Sequence, residues 1–217
     1  MDQKYLDQQS QHWEKNFLNK PEMFGLEPSL AAAKALETFK EKNIKNIIEL
    51  GAGLGRDTIF FAKNSIYVQA LDYSKTSIES ITNKSQKLNL TNFIKPKVFD
   101  IRKKLPFEDN SVEGCFSHML YCMALSNSDL EYLNNEICRI LKPGGLNIYT
   151  VRHTKDGDYK NGIHRGEDLY ENDGFIVHFF SKEKVKSLLN GFSNIVIDEF
   201  EEGNFPRKLF FVRNKKK

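Results

Sequence analysis

With 217 residues, 40% of them hydrophobic and 28% charged, the chain has the length and composition of one globular domain. It is long enough to build a core without disulfide or metal staples. Its 32 basic and 29 acidic residues leave a net charge of +3, matched by the terminal run Lys215-Lys216-Lys217. The body is therefore near neutral and lacks the basic surplus of a dedicated nucleic-acid binder.

The three cysteines, Cys115, Cys122 and Cys138, have no C-x-x-C spacing. They read as small core residues, and neither a disulfide framework nor a metal site is expected. The N-terminus is polar, and no apolar run approaches the ~18 residues of a membrane span, so a cytoplasmic protein without a signal peptide is expected.

In chain order, residues 1–27 are a polar lead-in with a helix near 5–18 carrying Leu6, Trp13, Phe17 and Leu18, broken by Phe24-Gly25-Leu26-Glu27-Pro28. Trp13 and Phe24 are expected either to cover a ligand or to anchor this segment. After Ser29, the spacing of Leu30, Ala33, Leu36 and Phe39 predicts a helix ending near Asn43. Ile47, Ile48 and Leu50 read as a buried parallel strand. Three glycines follow (Gly51, Gly53, Gly55), and a helix opens at about Arg56.

Residues 67–72 form a second strand ending in Asp72. Ser74 is the N-cap of a helix carrying Ile78 and Ile81. Residues 97–101 form a third strand, which holds Asp100, and 112–117 a fourth. An amphipathic helix over about 129–141 is stopped by Pro143-Gly144-Gly145, and 146–151 form the fifth strand. Residues 152–177 show no sustained period and are expected to be an irregular substrate-side insertion or lid. A helix capped by Ser181 and ending near Gly191 comes next. Two strand-like runs follow, 194–199 and 208–213, joined by a connection (201–206) short enough for an antiparallel hairpin. The alternation predicts one α/β domain over 1–217, with a doubly wound, mostly parallel sheet and helices on both faces.

A strand, a glycine turn and a helix in that order mark the nucleotide edge of an open α/β sheet. Arg56 stands where a dinucleotide fingerprint needs its third glycine, and the Gly-Lys-Ser/Thr ending of a phosphate loop is absent. Glu49, two residues before Gly51, repels a pyrophosphate and favours a ligand with an ammonium or sulfonium group. That pattern suits S-adenosylmethionine (SAM) better than NAD or ATP. Asp72 lies where an acid accepts hydrogen bonds from ribose hydroxyls. Asp100 is placed to accept from an exocyclic amine such as that of adenine, with Tyr73 and Ile101 as apolar faces for the base.

The ordered set ELGAGLG, LDYS, FDI, LPFEDNSVEGCFSHMLYCM and LKPGGLNIYTV resembles the motifs of class I SAM-dependent methyltransferases, continuously over roughly residues 25–151. FGLEPS and GLGRDTIFFA are similar to the small-molecule group typified by tellurite-resistance and thiopurine-type enzymes. The resemblance implies a Rossmann-like, seven-stranded sheet and a SAM cofactor leaving as S-adenosylhomocysteine. It places Glu49, Gly51, Gly53, Asp72, Tyr73, Asp100, Ile101 and Ser117 around that cofactor. Ala52, Gly55, Arg56, Ser74 and His118, in the same loops, complete the expected contacts. One departure is Glu113-Gly114 in the fourth strand, where the family has an Asp and an apolar residue.

Methyl transfer from a sulfonium asks for in-line positioning and exclusion of water, and for a base only where the acceptor must lose a proton. The catalytic candidates are His118, which directly follows the fourth strand, Tyr121 and His153. The substrate candidates are Trp13, Phe24, Arg152, His164 and Arg165. The chain is short and near neutral, and it lacks both an Asn-Pro-Pro-Tyr motif and a Pro-Cys nucleophile. A small-molecule acceptor is therefore expected, handled by a monomer or homodimer. An RNA or protein methyltransferase gripping through 152–177 and the lysine tail is the alternative, as is a non-catalytic SAM-binding module.

Overall fold

Apolar strands, glycine turns and amphipathic helices assemble into a seven-stranded sheet in the computed structural model, which describes residues 3–203 and 207–217. The elements are α1 (Gln3–Asn19), α2 (Leu30–Glu41), β1 (Asn46–Leu50), α3 (Arg56–Lys63), β2 (Tyr67–Asp72), α4 (Lys75–Lys87), β3 (Ile94–Val98), β4 (Val112–Ser117), α5 (Asn127–Ile140), β5 (Leu141–Arg152), β6 (Ile163–His164), β7 (Leu169–Asn172), β8 (Phe175–His178), α6 (Lys182–Ser187), β9 (Phe192–Glu202) and β10 (Arg207–Lys216).

The sheet runs β3-β2-β1-β4-β5-β10-β9. The first five of these strands are parallel, and β10 is antiparallel to both β5 and β9. Strand order reverses between β1 and β4, so the crevice at their carboxyl ends is where such a sheet binds ligands.

β1 is buried on both faces, which explains its unbroken apolar run. On one face Ile47, Val68 and Ala70 pack with Phe39 of α2, Phe61 of α3 and Ile81 of α4. On the other, Ile48, Leu71 and Tyr149 pack with Leu133 and Ile137 of α5 and Val185 of α6. Ser29, Ser74 and Ser181 each accept a backbone N–H at the start of α2, α4 and α6. Ser126 and Asp129 form a reciprocal capping box on α5. A cap of this kind contributes about 1 kcal/mol.

Four elements differ from the sequence expectation. The third strand lies at Ile94–Val98 rather than 97–101, because β3 is the sheet edge, where Pro96 costs no ladder bond. Asp100 therefore sits in the loop beyond it. Pro143-Gly144-Gly145 falls inside β5, as an irregularity where pairing with β4 jumps from Val112↔Leu141 to Gly114↔Leu146. Residues 152–177 are only partly irregular: within them β6, β7 and the start of β8 build a small antiparallel sheet. Its β7–β8 turn is Asp173-Gly174, both at positive φ (50° and 82°), as a two-residue hairpin turn requires. α6 ends at Ser187, short of Gly191. The C-terminal hairpin forms as expected, although residues 204–206 of its connection lie outside the described residues. Among the described residues no helix is long and apolar enough to cross a membrane.

Gly55, at the N-cap of α3, has φ +83°, and a Cβ there would meet Ile81 Cγ1 at 2.5 Å. Left-handed strain and overpacking each cost about 1–3 kcal/mol. Gly55→Ala is expected to lower unfolding free energy by about 2–4 kcal/mol in urea denaturation. Ile81→Ala is destabilising in its own right because Ile81 is fully buried, but within that background the G55A penalty should shrink, as a double-mutant cycle reads.

Candidate functional site

The turn from β1 into α3 is built on Gly51 (φ +69°), Gly53 (φ +52°) and Gly55. The Gly51 and Ala52 N–H groups donate to Leu71 O at 2.8 and 3.1 Å, holding the loop against the end of β2. Gly53 N–H donates to Asp72 Oδ2 at 2.8 Å and Ser74 N–H to Oδ1 at 2.9 Å. Burial of the Asp72 carboxyl outweighs these bonds and pushes its pKa up to about 6, with Glu14 adding repulsion. Each carboxylate oxygen still has acceptor capacity. Phe99 N–H donates to the Asp72 carbonyl at 2.8 Å, which brings Asp100 alongside the end of β2.

Asp100 is clasped by Arg102, with Nε to Oδ1 at 3.1 Å and Nη2 to Oδ2 at 2.8 Å. Arg102 also reaches Asp7 of α1 at 2.6 Å. Burial works against ionisation of Asp100, but the bonds from Arg102 prevail and hold its pKa below the ordinary value. Tyr73, Asp100, Ile101 and Leu120 line a narrow cavity of about 30 Å³, closed by Leu6, Gln9 and Trp13 of α1; this is room for about one water. α1 is tied down at two further points. Gln9 donates to Gly174 O (2.9 Å) and accepts from Ile176 N–H (3.2 Å) at the small sheet. Glu14 accepts from the Thr76 hydroxyl at 2.6 Å, in the first turn of α4.

Glu49 does not face this cavity. It is buried and accepts from the Thr58 hydroxyl at 2.5 Å; burial, with the charges of Asp57 and Asp72, drives its pKa well above the ordinary value. Arg56 donates to Phe24 O (3.1 Å), with its guanidinium over the Phe24 ring at 5.8 Å. Phe24 in turn packs on Trp13 and Phe17. Ser74 is engaged as the α4 cap, and the buried Ser117 hydroxyl has no partner among the described residues.

Beyond β4 the backbone turns sharply, with Met119 at φ +60°, and Leu120 folds back onto Gly51. A Cβ on Gly51 would lie 2.9 Å from Leu120 Cδ1. His118 Nδ1 is 3.0 Å from Thr150 Oγ1 on β5, and its Nε2 is 3.1 Å from Glu202 Oε2 at the end of β9.

The other candidates do not join this constellation. Tyr121 is a core residue: it is fully buried, stacked on Tyr149 at 4.1 Å, and accepts from Asn147 Nδ2 at 3.1 Å. Burial pushes its pKa well up. His153 stacks on Phe210 at 4.7 Å and accepts Lys155 N–H at 2.9 Å; burial lowers its pKa. Arg152 is buried, pairs with Asp156 and Asp158, and lies over Phe179 at 5.2 Å. His164 is exposed and stacks on Tyr170. Arg165 pairs with Glu171, covers Tyr5 at 4.2 Å, and borders a separate surface groove of about 380 Å³ beside α1.

Sequence reasoning missed Arg102, Thr150 and Glu202. Arg102 is only two residues beyond Asp100, but no pattern marked Thr150 or Glu202. No group of three or more His, Cys, Asp or Glu side chains among the described residues is arranged to hold a metal.

Comparison with known proteins gives three kinds of match. A family model described as a methyltransferase domain matches residues 47–145. Phosphoethanolamine N-methyltransferase 1 of wheat (Triticum aestivum) is 35% identical over 129 residues, covering 58% of this chain and 22% of that protein. The matched stretch is thus about a fifth of the length of that relative. Among solved structures, the 1,6-didemethyltoxoflavin-N1-methyltransferase of Burkholderia thailandensis, with bound 1,6-didemethyltoxoflavin and S-adenosylhomocysteine, superposes with a TM-score of 0.78. It is 14% identical and covers 100% of this chain and 90% of that one. The [4+2]-cyclase SpnF superposes with a TM-score of 0.73 at 12% identity, covering 97% and 96%. At such identities the likeness is one of fold.

Asp72 gives a signed pH dependence. Its folded-state pKa of about 6 lies above the ordinary 3.8, so the native state holds a proton that the unfolded chain has already released. The stability linked to that proton is present below about pH 4 and is lost as pH rises to about 6, about 3 kcal/mol in all. Urea unfolding of wild type and Asp72→Asn at a series of pH values should show wild type losing that amount relative to D72N.

Proposed function

We propose, on the methyltransferase-domain match over residues 47–145, that the chain is a class I SAM-dependent methyltransferase and that it transfers the sulfonium methyl of SAM to a small-molecule acceptor. When bound, the cofactor supplies an electrophilic methyl group on a positively charged sulfur. One observation carries the reading. Asp72 at the end of β2 and Asp100 in the loop beyond the adjacent β3 stand beside Tyr73, Ile101 and a glycine loop that only positive φ allows.

The donor set fits an adenosine. Asp72 retains acceptor capacity for ribose hydroxyls, and Asp100 can take an exocyclic amine once Arg102 turns toward Asp7. The space fits only after α1 moves, since the present cavity of about 30 Å³ is far smaller than an adenosine. Residues 1–27 therefore act as a lid, and Trp13 rides on it. On the acceptor side His118, between β5 and β9, is the residue that takes a proton, and Tyr121 and His153 serve the core. Glu49 acts from beneath the loop, by holding α3 through Thr58.

Phosphoethanolamine is the first acceptor to test, because a matched wheat relative carries its name. Because Trp13 is the sole tryptophan, its emission reports on the lid directly. Titration with S-adenosylhomocysteine should give a saturable change in Trp13 fluorescence, and Asp72→Ala should weaken binding at least about tenfold. A panel of small amines, alcohols and thiols headed by phosphoethanolamine should then return an acceptor, read as S-adenosylhomocysteine released from SAM. A wild-type chain whose emission stays flat at millimolar ligand would sink the cofactor assignment. Binding without release across the panel would favour the non-catalytic module.

A further inference from the structure

We propose that Thr150 and Glu202 hold His118 in a single tautomer, with the proton on Nε2, and that Glu202 is the positioning residue that carries the resulting imidazolium through proton abstraction. This inference rests on the reading of His118 as the acceptor-side base.

The hydrogen-bond directions follow from the donors present. The Glu202 carboxylate beside Nε2 can only accept, which places the ring hydrogen on Nε2. Thr150 Oγ1, which accepts Met119 N–H at 2.8 Å, then turns its own hydrogen to His118 Nδ1 at 3.0 Å. Nδ1 is therefore the acceptor nitrogen of the neutral ring, and Nε2 carries the hydrogen. Glu202 Oε2 lies 3.1 Å from Nε2, an ion-pair distance. Oε2 is buried and has no hydrogen-bond partner of its own among the described residues, so it is open to take that hydrogen.

The carboxylate is held from behind. Oε1 accepts Leu30 N–H at 3.3 Å, in the first turn of the twelve-residue α2, where the helix dipole favours a negative charge. Burial opposes ionisation of Glu202, but the contact with His118, the charge of Arg56 and the Leu30 N–H prevail, and its pKa lies below the ordinary value. The arrangement leaves one basic lone pair, on Nδ1, under a hydroxyl that can rotate away.

In the abstraction step an acceptor X–H takes the place of Thr150 at Nδ1. The Nδ1 lone pair forms the new N–H bond, and the X–H bonding pair stays on X as its nucleophilic pair. The positive charge left on the ring is opposed by Glu202 through Nε2–H.

Two measurements on the full chain test this. ¹⁵N-edited imidazole spectra of the ligand-free protein, assigned by the signals missing in His118→Gln, should show the Nε2–H tautomer. Its Nε2–H proton should lie far downfield and move upfield in Glu202→Ala. An Nδ1–H tautomer in wild type, or a Nε2–H signal indifferent to E202A, would overturn the proposal without any acceptor being known.

The second measurement is S-adenosylhomocysteine release with the acceptor that the panel returns, phosphoethanolamine first. Glu202→Gln should lower kcat by about 100-fold with KM within about twofold, and Glu202→Asp should recover part of the loss. If H118Q loses turnover while E202Q keeps it, the Glu202 assignment alone fails. If H118Q turns over at the wild-type rate, the base reading fails and the inference with it.

Discussion

A buried carboxylate, Asp72, is the joint through which the sheet, the glycine loop and α4 are held together. It receives Gly53 N–H from the loop and Ser74 N–H from the cap of α4, and its own carbonyl takes Phe99 N–H from the chain leading to Asp100. A charged group that far from water is costly unless donors surround it, and here the backbone supplies them. The raised pKa of about 6 shows that the compensation is incomplete, which suits a group whose remaining acceptor sites await hydroxyl donors. The three glycines follow from the same constraint: the loop must bend under Asp72 while Leu120 and Ile81 press on Gly51 and Gly55.

α1 is attached differently from the helices of the sheet. Its polar ties are Asp7 to Arg102, Gln9 to the small sheet and Glu14 to Thr76, beside ring contacts of Trp13 with Phe175 and of Phe17 with Phe24. A part-exposed ion pair contributes about 1 kcal/mol or less, and a neutral hydrogen bond about 1 kcal/mol. Leu6 is well buried, but in a satellite cluster with Ala124, Leu169 and Ile176 rather than in either main core. Such a helix is released at modest cost compared with the ~8 kcal/mol of a micromolar ligand, whereas α3 or α5 is not. Arg102 makes the link specific, because the same guanidinium bridges the helix and the carboxylate that the proposed adenine amine requires.

The strands and helices of the sheet were legible because their signals are local. β1, β2 and β4 are short apolar runs, and serines stand at the caps of α2, α4 and α6. The misplacements share a cause. Pro96 reads as a strand breaker until β3 is known to be an edge, and Pro143-Gly144-Gly145 reads as a stop until β5 is seen to continue through it. The Asp173-Gly174 pair does not read as a hairpin turn in the sequence, because strands of two to four residues carry too little alternation to frame it. At the candidate site, the acids ending β2 and following β3 were legible from spacing. Glu202 was not, because it reaches His118 only through the long-range pairing of β9 with β10 and β10 with β5. Tyr121 shows the converse: adjacency to His118 in sequence says nothing of which face of the turn a side chain takes, and it took the core.

On the proposed reading, the cofactor side and the acceptor side are connected through two helix starts. Asp57, in the first turn of α3, accepts both the N–H and the hydroxyl of Ser29, at 2.8 and 2.7 Å, and so places the N-terminus of α2 relative to the glycine loop. The next residue of α2, Leu30, presents its N–H to Glu202, whose other oxygen faces His118. The buried Asp57–Ser29 bonds are the strongest part of that connection. The carboxylate opposite His118 is positioned by the same turn that makes room for the cofactor, so on the proposed reading a filled loop and a correctly aimed base are consequences of one packing arrangement.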